Sequence, residues 1–153
     1  MIVRCPSRRA ARDPVRGTCT RTLAVRGRTD ELRTAADGIV AHIADALGPP
    51  GRREDAVLAV HEVLANALEH GHLGDPRVPI VVEVERSVTA ALVRITDRAR
   101  RGPWVGPRAG HAASAWATRG RGWRLVEGGC DRAEVGPGDR DGATTIVELT
   151  WWA

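Results

Sequence analysis

Residues 55–71 read D-A-V-L-A-V-H-E-V-L-A-N-A-L-E-H-G, and this stretch decides how the chain is read. Val57, Val60, Leu64 and Leu68 recur at the spacing of a buried helix face. Glu62, Asn66 and His70 follow one another at every fourth position on the opposite face, a polar line roughly 12 Å long. A carboxylate, an amide and an imidazole stand in a row there, flanked by Ala59 and Val63 rather than by solvating charges. A face half apolar and half polar points to a covered ligand more than to open water.

Upstream, residues 21–25 (R-T-L-A-V) alternate as a short strand. Thr29 or Asp30 can cap a helix carrying Leu32, Ala35, Ile39, Ile43 and Leu47, and G-P-P-G at 48–51 ends it. Residues 1–20 lack periodicity and are expected to be a disordered basic tail, leaving 21–153 as one domain. Downstream, G-D-P at 74–76 is the exit turn of the second helix. Residues 80–85 and 91–96 read as β-branched strands joined as a hairpin at 86–88. From 97 to 119 the pattern dissolves into Arg, Gly, Pro and small residues, with a short helical piece near 112–116. Loops of that length in compact domains are functional or disordered. A third helix is expected to begin near Gly122 and carry Trp123, Leu125 and Val126. Residues 133–135 and 144–149 form a second hairpin across a turn at 136–142. The order β-α-α-β-β-loop-α-β-β predicts an α+β fold, a two-layer α/β sandwich with helices on one face of a mixed, mostly antiparallel sheet.

The bulk numbers constrain function less. A length of 153 residues suits one domain with one core. All 23 strongly basic residues are arginine, a bias that reflects GC-rich coding more than function. The pI near 10.0 invites a nucleic-acid reading. Its source, however, is an amino-terminal arm where Arg4, Arg8, Arg9, Arg12, Arg16, Arg21, Arg26 and Arg28 meet only Asp13. Such an arm is more often a tail, and it also reads as an extension translated upstream of the true start. With no recognition-helix motif and no interleaved aromatics, direct nucleic-acid binding is not expected. Cys5, Cys19 and Cys130 are scattered without a C-x-x-C spacing, so neither a disulfide framework nor a metal site is expected. No run is apolar enough for a membrane span or a signal segment, and a cytoplasmic setting is expected.

Four places carry chemistry. Glu62 could act as a general base, and the Asn66 amide oxygen could serve magnesium, which prefers oxygen donors. Asp97, ending A-L-V-R-I-T-D, could accept a hydrogen bond from an exocyclic amine. Arg119-Gly120-Arg121-Gly122 opens the third helix, where backbone N–H groups, the helix dipole and the arginines attract a phosphate. Gly142-Ala143-Thr144-Thr145 sets a hydroxyl beside a tight turn. Each alone has an ordinary structural reading: a polar helix face, a turn cap, a flexible helix entry, a β-turn.

Together, in this order, they resemble the GHKL ATPase superfamily of gyrase, histidine kinases and MutL-type repair ATPases, and more narrowly the anti-sigma-factor serine kinases of bacteria. E-x-x-x-N-A-x-x-H-G at Glu62, Asn66, Ala67, His70 and Gly71 is similar to that branch's N-box. L-V-R-I-T-D resembles the adenine box, G-R-G-W-R-L-V-E-G-G-C-D-R-A-E-V at 120–135 the second glycine box, and G-A-T-T-I-V-E-L the closing strand. The likeness spans residues 20–150. It implies a Bergerat-type ATP-binding fold, with ATP and magnesium as cofactors. Glu62 would be the base, Asn66 the magnesium ligand and Asp97 the adenine acceptor. His70, Arg119, Gly120, Arg121 and Gly122 would lie at the phosphates, Thr144 near the adenine, and residues 98–119 would form the lid. The pattern breaks after Asp97, where Ala99 and Arg101 stand in place of two glycines.

The resemblance implies a protein serine/threonine kinase regulating transcription. Its partners would be a sigma factor and the anti-anti-sigma protein that it phosphorylates, and a homodimer is expected. The alternative is a catalytically impaired module of the same fold that sequesters a protein partner without phosphotransfer.

Overall fold

Strict alternation builds the sheet. Ile80, Val82 and Val84, then Ala91, Val93 and Ile95, then Val147, Leu149 and Trp151 are all buried, every second residue of three neighbouring strands. Between them, on the other side, Arg94 donates from Nε to Glu148 Oε1 at 2.6 Å and pairs with Glu83 Oε2 at 3.4 Å. One face is therefore apolar and the other is laced with cross-strand charge.

A computed structural model describes residues 2–4, 19–25, 31–71, 79–98, 122–137 and 144–153. Among them the elements are β1 (Ile2–Arg4), β2 (Cys19–Val25), α1 (Leu32–Ala41), α2 (Pro50–Asn66), β3 (Ile80–Arg86), β4 (Ala90–Arg98), α3 (Gly122–Gly129), β5 (Arg132–Pro137) and β6 (Thr144–Trp152). The strands form one sheet in the order β1-β2-β3-β4-β6-β5. The buried faces of α1, α2 and α3 join the apolar sheet face in a single core that includes Leu32, Ile39, Val60, Leu64 and Val126. Each fully buried Val, Leu or Ile contributes about 1.5–3 kcal/mol. The α+β two-layer architecture is the expected one.

Its details differ in four respects. All five strand pairings among the described residues are antiparallel, where a mixed, mostly antiparallel sheet was expected. Ile2–Arg4, inside the segment expected to be disordered, is a strand: its apolar Ile-Val pair lies opposite Val25 and Ala24, and β2 itself begins at Cys19. The stripe from Leu32 to Leu47 is buried throughout, but α1 stops at Ala41 and a 3₁₀ turn at Ala44–Ala46 carries the chain on. Gly48 then takes a left-handed φ of 74°, and α2 starts at Pro50, inside the expected turn. Proline is well suited to that first helical position, because the N–H it lacks would have no partner there.

β5 runs to Pro137. The expected exit turn at 74–76, the expected lid beyond Arg98 with the helical piece expected near 112–116, and positions 138–142 of the turn expected at 136–142 lie outside the described residues. So do residues 5–18 of the basic arm.

Candidate functional site

Register places the first half of the site. Asp97 on β4 pairs directly with Thr145 on β6, both on the helix-covered side of the sheet and both 5% exposed. The backbone N–H and the hydroxyl of Thr145 both donate to the Asp97 carboxylate. Oδ1 of this carboxylate is buried with no partner. Burial pushes the Asp97 carboxyl up to about 6, against these two bonds, which pull it down. A desolvated carboxylate with one oxygen orphaned can accept a further N–H donor.

The second half is a helix seam. Down α2, Asp55, Ala59 and Glu62 form one file; down α3, Gly122, Val126 and Gly129 form another. The two helices pack through these files. A Cβ on Gly129 would overlap the Asp55 carbonyl oxygen and lie 2.8 Å from Ala59 Cβ. At the opposite end, a Cβ on Gly122 would lie 2.8 Å from Glu62 Oε2. Glycine is required at Gly129 because backbone meets backbone there, whereas at Gly122 the obstacle is the tip of a flexible side chain.

The rear of this seam is anchored. Trp151, fully buried, donates from Nε1 to the Gly129 carbonyl at 2.6 Å. Arg52 pairs with Asp131 and also donates to the Trp152 carbonyl at 3.0 Å. The Trp152 N–H and that arginine hold the Asp131 carboxyl below the usual carboxylate range. Burial pushes the Cys130 thiol up to about 11, so it is a neutral thiol donating to the Val126 carbonyl.

Glu62 and Asn66 are both half-buried, one turn apart on α2. Ala59 and Val63 beside them are fully buried, so the polar line runs along a covered part of the helix. The α-helical register does not continue to His70, because Ala67–Gly71 is wound as a π turn, a wider coil common near functional sites. That turn packs against β4, the strand of Asp97. The side chains of His70 and Thr144 lie outside the described residues, as do Arg119, Gly120 and Arg121 altogether. In the backbone register Thr144 pairs with Arg98, and the residue bonded to Asp97 is its neighbour Thr145. Alternation with Val147, Leu149 and Trp151 was the signal that could have singled out Thr145.

The family model for the histidine kinase-like ATPase domain matches residues 25–151. The chain belongs to that family. No curated protein matches the sequence. Among solved structures, the chain is similar to that of the RsbU and RsbW domains of Rv1364c from Mycobacterium tuberculosis, at 19% identity and a TM-score of 0.57. That match covers 87% of this chain and 32% of the other, so this chain spans about a third of its neighbour's length. No helix among the described residues is long and apolar enough to cross a membrane.

The residues of this ATPase-family chain fit the group that the family name implies. The orphaned Asp97 Oδ1 suits the exocyclic amine of adenine, and the half-buried Asn66 amide suits a hard, oxygen-seeking cation.

Proposed function

We propose that this chain is an ATP-binding regulator of the anti-sigma type, a protein serine/threonine kinase that binds a sigma factor and phosphorylates its anti-anti-sigma antagonist. The observation that carries the reading is Asp97, whose Oδ1 is buried without a hydrogen-bond partner, which supports a role as acceptor for the adenine amine. Family membership supports nucleotide binding. The N-box and second glycine box support the anti-sigma branch.

In this reading Asp97 orients the base of the nucleotide while Thr145 fixes the carboxylate. Asn66 holds magnesium through its amide oxygen, and Arg119, Gly120, Arg121, Gly122 and His70 meet the phosphates. Thr144 lies near the adenine, and residues 98–119 act as the lid. Bound MgATP supplies the phosphoryl group and the cation that offsets its charge. Glu62 takes the proton from the acceptor serine hydroxyl and so raises its nucleophilicity. A homodimer acting in the cytoplasm completes the proposal.

Calorimetry with MgATP, then transfer of labelled phosphate to candidate anti-anti-sigma proteins, tests this directly. Saturable binding and transfer that is lost in Glu62→Ala are expected. Transfer surviving that substitution removes Glu62 as the base.

Ala99 and Arg101 favour a second reading, because a bulky charged side chain replaces glycine where the family's backbone turns tightly. The chain would then sequester a protein partner without phosphotransfer. An absence of binding heat at millimolar nucleotide selects this module.

A further inference from the structure

The Glu62 carboxylate has a neighbour on each side, and the two differ in kind. Oε2 faces Gly122, which offers no side chain. Oε1 lies 3.9 Å from His61 Nδ1. Consecutive residues on a helix point in diverging directions, so helix geometry does not impose this approach; the two side chains turn toward each other. Both are largely covered, with side-chain exposures of 28% and 30%. The distance is that of an ion-pair contact rather than a hydrogen bond.

We propose that His61 is a positioning residue for Glu62, fixing the direction of its carboxylate against the open wall left by Gly122. The inference rests on the assignment of Glu62 as the base. A glutamate has three rotatable side-chain bonds, and a base is effective only when held within a fraction of an ångström of its working geometry. Gly122 presents no side chain to the carboxylate. Among the described residues, His61 is the charged or ionisable group recorded within ion-pair distance of that carboxylate.

The test uses the full chain with Glu62→Gln, His61→Leu and His61→Asn. Glu62→Gln is expected to abolish transfer. His61→Leu should lower kcat about tenfold while the MgATP Kd stays within about twofold, the signature of lost orientation rather than lost binding. His61→Asn, whose amide can stand near the position of Nδ1, should recover most of the rate. In the nucleotide-free protein, Glu62→Gln should also shift the imidazole ¹⁵N resonances of His61, a readout that needs no turnover. Wild-type kcat in His61→Leu overturns the proposal, as does a fall in kcat matched by falls in nucleotide affinity and Tm in both His61 variants. Unmoved imidazole resonances overturn it as well. Transfer that persists in Glu62→Gln, or is absent from the unaltered chain, removes the base assignment and this role with it; a normal Glu62→Gln result with an unaffected His61→Leu removes this role alone.

Discussion

Thr145 supports the ionised Asp97 carboxylate through both its backbone N–H and its hydroxyl, and Asp97 Oδ1 is buried without a partner. The pair sits at matched positions on β6 and β4, so the sheet register brings the two residues together. An unsatisfied charged acceptor in a core is costly.

Asp97→Asn is the sharpest probe of that cost. The carboxyl is pushed from 3.8 up to about 6, so holding it ionised at pH 8 costs about 3 kcal/mol of folding free energy. The neutral isostere should recover much of this and raise Tm by several degrees in a melt of the nucleotide-free protein. MgATP affinity should fall about ten- to a hundredfold, because the charged acceptor is gone. A variant no more stable than the parent contradicts the burial argument.

The pH dependence follows with a definite sign. Because the folded value lies above the unfolded one, the native state binds the extra proton between them. The Asp97 contribution therefore favours folding at low pH and is lost as pH rises through about 6. Nucleotide affinity runs the other way. Acceptance by Oδ1 requires the ionised form, so binding should weaken by up to about tenfold per unit as pH falls below 6. Calorimetric titrations between pH 5 and 8, with Asp97→Asn as the flat control, check both trends.

Thr145→Val keeps the shape and the N–H but removes one donor to the carboxylate. We expect a loss of about 1 kcal/mol in chemical denaturation at pH 8. The pH of half-maximal nucleotide binding should move upward, since the ionised acid has lost part of its support. An unshifted midpoint would mean that the hydroxyl does not support the charge.

The two seam glycines should respond differently to alanine. Gly129→Ala drives a methyl into the Asp55 carbonyl and Ala59, neither of which can yield without separating α2 from α3. A destabilisation of about 1–3 kcal/mol is expected by urea melt. Gly122→Ala meets only the end of the Glu62 side chain, which can swing away. Its stability should change by less than about 1 kcal/mol, while phosphotransfer drops because the carboxylate has been displaced.

Much of this could be read from the chain. The β3–β4 hairpin was legible because Val, Ile and Thr alternate with charge across residues 80–96, and α3 because its glycines bracket a short apolar stripe. The Glu62–Asn66 file was legible because it depends only on the helical period. The 3₁₀ break after Ala41 was not, since burial of Ile43 and Leu47 satisfies the helical pattern whichever coil delivers them. Nor was the early start of α2: two prolines between two glycines look like a linker until the first takes the cap position and the second the first helical turn. The pairing of Thr145 with Asp97 was not legible either, since a run of two threonines leaves open which one faces the helices.

By itself the sequence determined the periods: which elements form, which faces are apolar, and which carboxylates, amides and glycines recur in a recognisable order. Those properties are local, set by 3.6- and 2-residue repeats and by backbone preferences. Only the tertiary structure decided that Asp97 Oδ1 is buried without a partner, that Thr145 stands beside that carboxylate, and that Glu62 rests between His61 and Gly122. These depend on strand register and on the distance between two helices. Both are fixed by packing residues far apart in the chain, about which a local repeat carries no information.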